Sequence, residues 1–269
     1  MFVYILLGIL IVYVGLVLIF RPSHNRDWTF EQEVLPQIVY GENGLIKIDG
    51  FRNFDWQVDG ETLPSYETRE FNLNDLMSVD VLVSHFSDFE GFAHTFLSFG
   101  LKDGGQIVIS LEARRQVGEK YSPVLGMLRQ YEIIYVVGSE TDIVGVRADV
   151  KGERVYLYPT KATPEQAKEL FTVLAADINS IYEKPRFYNT IYNNCTNEIT
   201  RRVEEMSDIK FPLSWKTLLP GYVDEVLYEL KIIDTSLSFE EIKVAHKIDN
   251  QLVDRKKTTY SVDLRSNTK

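Results

Sequence analysis

The sequence predicts an α+β domain, an antiparallel sheet with helices packed on one side, preceded by one apolar N-terminal segment. Three observations carry this. Several short stretches alternate polar and apolar residues, as half-buried strands do. The turn Leu101-Lys102-Asp103-Gly104-Gly105 separates two of them, and Asp-Gly-Gly supplies the positive φ angles a tight hairpin needs. One long stretch then carries apolar residues at helical spacing, behind clear helix-start signals.

The elements follow in order. Met1 to Phe20 holds no charged residue, and as a helix it would span about 30 Å, the thickness of a bilayer's hydrocarbon core. No basic region precedes it and Arg21-Pro22 follows directly, so it reads as an uncleaved, single-pass transmembrane anchor and not as a signal peptide. Arg21 and Arg26 follow the span, and by the positive-inside rule they would hold the body in the cytoplasm, which leaves orientation open at this point. Residues 21–44 read as a linker, in which Trp28 to Val39 is interrupted by Pro36.

Leu45 to Ile48, Phe51 to Trp56, Tyr66 to Phe71 and Val79 to Phe86 read as strands, with a short helix over Asn72 to Met77. The hairpin joins Ala93–Phe99 to Gln106–Glu112, and Tyr131–Val137, Asp142–Val150 and Val155–Tyr158 give three more strands. Thr163 is a good N-cap, Pro164 suits the first helical position, and Gln166 completes a capping box. Ala167, Leu170, Phe171, Leu174, Ile178 and Ile181 then share one face. A second helix runs from Cys195 to about Met206, and a third lies within Leu219–Leu230. The body is therefore one domain over residues 45–235, with a C-terminal helix and polar tail over 236–269, the last part mobile.

The net charge of -10 disfavours a nucleic-acid partner, because an acidic surface repels phosphate. A single cysteine excludes an internal disulfide and a multi-cysteine zinc site. No histidine pair has the i, i+4 spacing of a helical metal site, so neither a metal nor a cofactor is expected.

That cysteine, Cys195, sits among Asn193, Asn194, Thr196 and Asn197, which is no apolar core segment. With Asn193 or Asn194 as N-cap it occupies a first helical turn, where the helix dipole lowers a thiol pKa and free N–H groups can bind an oxyanion. A nucleophilic thiol needs a base, and the base needs a third group to fix its tautomer. His94 opens a strand of the hairpin and stands roughly opposite Glu112, which shares a face with Ser110 and Gln106 by period two. Glu112 is the chosen orienting residue, and His85 is the competitor as base.

The runs Phe51-Arg52-Asn53-Phe54-Asp55-Trp56, Ala93-His94-Thr95, Ser98-Phe99-Gly100, Ser110-Leu111-Glu112-Ala113-Arg114, Val155-Tyr156-Leu157-Tyr158, Phe187-Tyr188-Asn189, Asn194-Cys195-Thr196 and Leu219-Pro220-Gly221-Tyr222, in that order, resemble the Lnb N-terminal periplasmic domain family. The resemblance implies a permuted, NlpC-like (papain-like) cysteine enzyme with histidine before cysteine, an order shared by lecithin:retinol acyltransferase-like proteins. It implies Cys195 as nucleophile, His94 as base and Glu112 as third member; Asn194, Thr196, Arg52, Asn53 and Arg114 are the candidate oxyanion and substrate-binding residues. It also implies a bacterial inner-membrane protein whose catalytic domain faces the periplasm or cell exterior. The expected function is a cysteine acyltransferase, or a thiol hydrolase acting on membrane lipid or lipoprotein, through a thioester. A cell-wall peptidase or amidase with the same dyad, and a non-catalytic envelope module, are the alternatives.

Overall fold

The computed structural model of the chain describes residues 20–57 and 62–267, with residues 4, 5, 7, 8 and 15 before them. The anchor expected over Met1–Phe20 therefore lies almost wholly outside the described residues, and among those described no helix is long and apolar enough to cross a membrane.

The strands are β1 (Gln37–Tyr40), β2 (Leu45–Arg52), β3 (Tyr66–Asn72), β4 (Leu76–His85), β5 (Ala93–Leu101), β6 (Gln106–Arg114), β7 (Glu132–Gly138) and β8 (Arg154–Pro159). The helices are α1 (Pro123–Met127), α2 (Glu140–Gly145), α3 (Pro164–Glu183), α4 (Cys195–Met206), α5 (Trp215–Leu218), α6 (Val223–Glu229), α7 (Phe239–Ala245) and α8 (Tyr260–Asn267). The strands form one sheet ordered β1-β2-β7-β6-β5-β4-β8, with β3 also pairing β2. The fold is thus α+β, but the sheet is mixed and not purely antiparallel: β2 meets β7 in parallel at Arg52↔Gly138.

Helices cover both faces, not one. On the first face α3 buries Leu170, Phe171, Leu174 and Ile178 against Ile46, Val81, Phe99 and Tyr135. The Thr163 capping box forms as expected. On the second face Ile143, Val144, Ala148, Tyr260 and Leu264 cover Leu82, Phe96, Val108 and Ile134. Several expectations are corrected here, the first being the strand expected over Phe51–Trp56, of which only Phe51 and Arg52 are strand, as the end of β2. Asp142–Val150 is not a strand but α2 running into a π turn over Val146–Val150. The Ser139 side chain accepts from the Asp142 N–H and starts that helix, a cap that outweighs the β-branched composition. The tail is not loose either: Val253, Tyr260 and Leu264 are buried, and Arg265 ion-pairs with Asp80 at 2.6 Å and Glu140 at 2.8 Å. The stretch read as linker also contributes the edge strand β1 and the buried Gln32.

The hairpin positions the site. Gly104 takes φ 85°, and the Leu101 N–H closes the turn on the Gly105 carbonyl at 2.9 Å. The β5–β6 ladder runs from Gly100↔Gln106 to Leu97↔Ile109 and stops, although both strands continue. Beyond it β5 stays with β4 (Thr95↔Val83) and β6 with β7 (Leu111↔Tyr135). The sheet therefore splits between Ala93–Phe96 and Ser110–Arg114.

Candidate active site

The helix that starts at Cys195 fills this split. Asn194 is its N-cap, accepting from the Asn197 N–H at 2.9 Å and donating through its own amide to the Thr190 carbonyl at 2.7 Å. The Thr196 hydroxyl donates to Thr95 Oγ1 at 3.1 Å and pins the helix to β5. Odd residues of β5 turn their N–H groups toward β6, as Leu101 does. With β6 gone, the Thr95 N–H is directed instead at the Cys195 sulfur. The sulfur thus stands where a neighbouring strand's carbonyl would, next to His94. The N–H groups of Cys195 and Thr196 face the sulfur as well, and the cap on Asn197 leaves them free to hold an oxyanion.

Cys195 and His94 line one cavity of about 230 Å³, together with Glu112. His94 Nε2 lies 2.7 Å from Ser110 Oγ, and Ser110 Oγ lies 3.0 Å from Glu112 Oε1. Glu112 itself is 4.0 Å from the ring, so the serine stands between them. Among the described residues no hydrogen bond joins the sulfur to the imidazole. Burial acts to raise the Glu112 pKa, but Arg147 at 2.7 Å, His94 and Arg52 hold the carboxyl well below the usual carboxylate range. An ionised carboxylate only accepts, so Ser110 donates to Glu112 and accepts from His94 Nε2–H. That fixes the tautomer: Nδ1 carries the free lone pair. Burial and then Arg147 bring the His94 pKa down to about 3, so the ring is neutral at ordinary pH.

The thiol differs from its expected state. Burial raises the Cys195 pKa, and the Thr95 N–H, the Thr196 hydroxyl and the N–H groups of Thr196 and Cys195 only partly offset this. Cys195 is 3% exposed, so desolvation outweighs the first-turn dipole. The resting pair is a thiol and a neutral imidazole.

The remaining candidates divide. Asn194 lines the cavity, but its Oδ1 is engaged in the cap and its Nδ2 on the Thr190 carbonyl, so its part is to shape the helix start. The Thr196 side chain lines a second cavity on the other side; its hydroxyl lies 4.0 Å from the Cys195 sulfur and, with its N–H, favours the thiolate. Arg52 lines the cavity but is committed to Asp142 through Nε and Nη2, each at 2.9 Å. Asn53 and Arg114 are not brought to the cavity. Asn53 accepts from Ser139 Oγ at 2.7 Å, while Arg114 is buried over the Trp28 ring and donates to the carbonyls of Gln32 and Glu33. His85 is buried, facing the Glu90 carbonyl at 3.1 Å, and lies outside the cavity lining.

Sequence reasoning missed Gln32, Arg147 and Lys151. Gln32 Nε2 holds the second Glu112 oxygen at 2.9 Å. Arg147 and Lys151 lie in or just after the segment read as strand; the Ser139 cap is the signal that would have placed both on one helical face.

A family model, the Lnb N-terminal periplasmic domain, matches residues 62–221, more than half of the chain and including every member of the Cys195–His94–Ser110–Glu112 set. No curated protein and no solved structure matches.

Proposed function

The chain belongs to the Lnb N-terminal periplasmic domain family, a family of envelope-side domains, and from that premise we propose that it is a cysteine-dependent enzyme transferring or hydrolysing lipid-borne acyl groups. The observation that carries this is the placement of the Cys195 sulfur in the sheet split, on the Thr95 N–H and in one cavity with the His94–Ser110–Glu112 chain. A nucleophile at a helix start against a histidine-bearing strand, with histidine earlier in the chain, supports a permuted papain-like reading. The apolar run Met1–Phe20 supports a membrane tether, which would raise the effective concentration of lipid at the site.

His94 Nδ1 takes the thiol proton as Cys195 Sγ attacks the ester carbonyl, and the Cys195 and Thr196 N–H groups hold the oxyanion. The carbon–oxygen bond breaks, the imidazolium gives its proton to the departing alcohol, and a thioester is left. Water or an amine, deprotonated by the same Nδ1, then attacks the thioester and frees the thiol. Ser110 keeps Nε2–H occupied throughout.

A second cavity of about 210 Å³ lies on the far side of the helix that carries Cys195. It lies behind the Thr95–Thr196 pair and is lined mainly by apolar residues such as Val81, Leu97, Ile199, Val203 and Leu227.

The test is intact-mass analysis after incubation with phospholipid vesicles. An adduct of one acyl chain on the wild type, lost in Cys195→Ala, is expected. A wild type that yields neither adduct nor released fatty acid nor acylated amine overturns the reading.

A further inference from the structure

The Cys195 cavity has two unlike walls. Phe92, Leu218 and Leu219 line one side, and Arg147 and Lys151 belong to the polar lining. The π turn over Val146–Val150 brings residues 147 and 151 to successive positions along one helical edge. Arg147 is 7% exposed; its Nη2 is held by Glu112 at 2.7 Å, but its Nε is buried with no hydrogen-bond partner. The Lys151 amine makes no hydrogen bond or ion pair with any described residue.

A buried guanidinium N–H without an acceptor is costly, and a second cation beside it adds repulsion. Lys151 is exposed as a residue, but its side chain lines the cavity, where desolvation and then Arg147 lower its pKa and the carboxylates of Glu31, Glu112 and Glu153 only partly offset this. An anion at this wall would relieve the repulsion between the two cations.

We propose that Arg147 and Lys151 form an anion-binding subsite of the Cys195 cavity, taking the phosphodiester of a phospholipid whose acyl ester reaches the sulfur. This rests on the acyl-transfer reading and names its substrate class. The apolar wall favours an amphiphile over a cell-wall peptide, since it offers a peptide's polar backbone no partner. An acyl chain lies along Phe92 and Leu219, and the headgroup phosphate meets the Lys151 amine beside the Arg147 guanidinium.

The test is calorimetric binding to Cys195→Ala protein, which needs no turnover and so separates this proposal from the acyl-adduct experiment. The probes are dihexanoylphosphatidylglycerol below its micelle-forming concentration, dihexanoylglycerol, inorganic phosphate, and a carboxylate-bearing cell-wall tripeptide. The added Lys151→Ala change is expected to weaken phospholipid binding about tenfold or more, Lys151→Arg to keep it, and neither to alter dihexanoylglycerol binding. Thermal melting of both variants checks that they fold. The proposal is overturned if the phospholipid does not bind, or if Lys151→Ala affects both lipids alike. It is equally overturned if inorganic phosphate binds as tightly as the phospholipid, or if the tripeptide binds more tightly and in a Lys151-dependent way.

Discussion

His94 Nε2 sits 2.7 Å from Ser110 Oγ, so the imidazole is oriented by a hydroxyl and only through it by the Glu112 carboxylate. Ser110→Ala removes that acceptor and frees the ring to adopt the wrong tautomer. The expected result is a kcat lower by on the order of 10- to 100-fold with KM nearly unchanged. Steady-state kinetics on an ester substrate checks this, and equal losses in Ser110→Ala and a remote surface serine variant would refute it.

The pH profile follows from the His94 pKa of about 3. The base is competent only when neutral, so lowering the pH from 7 to 5 leaves it unprotonated. The kcat/KM of the free enzyme is expected to stay flat over that window and to fall on the acid side only well below pH 5. An acid limb near pH 6.5 would mean that His94 is not the base or is not buried as described.

The same group sets a slope in stability. Unfolded, His94 takes a proton as the pH falls below about 6.5. Folded, it stays neutral until about pH 3. Between those values the unfolded state binds more protons, so stability falls as the pH falls. Urea denaturation at pH 7 and pH 5 measures this, and His94→Gln is expected to lose less between the two pH values than the wild type.

Alkylation of Cys195 reports its protonation state. The sulfur is 3% exposed and its pKa is raised, so iodoacetamide at pH 7 is expected to modify it more slowly than glutathione. The rate should climb as the pH passes 9. Fast labelling at pH 6 would show a pre-formed thiolate and remove the need for His94 as base.

Arg265 offers a stability test remote from the cavity. It bridges Asp80, which is 3% exposed, and Glu140, which is 1% exposed. Arg265→Ala leaves both carboxylates buried without that partner, and a loss of about 3–5 kcal/mol is expected in denaturant titrations. A loss below about 1 kcal/mol would mean that the acids are protonated or reached by water.

Much of this site was legible because its parts lie on regular elements. The Asp103-Gly104-Gly105 turn fixes the hairpin register as far as Leu97↔Ile109, and continuing that register points His94 toward the Ser110–Glu112 stretch, where the His94 side chain meets Ser110 across the split. The Asn194 cap was readable from residue type, and it sets the start of the Cys195 helix. What could not be read was the split between β5 and β6, since no local pattern tells a strand that its neighbour will leave. The Cys195 pKa was misjudged for the same reason: local dipole arguments see the helix start, while burial is decided by β5, Tyr188 and the loops around the cavity. Arg147 was missed because a β-branched run over residues 142–150 mimics a strand when the Ser139 cap is overlooked.

The Arg265–Asp80 pair joins residues 185 positions apart. Asp80 leaves the ribosome long before its counter-ion, and the second face of the sheet gains the last of its cover only when α8 has been made. A stop codon just before Tyr260 would release a chain with Cys195 in place but with part of the cover over Leu82, Phe96, Val108 and Ile134 missing, which favours aggregation.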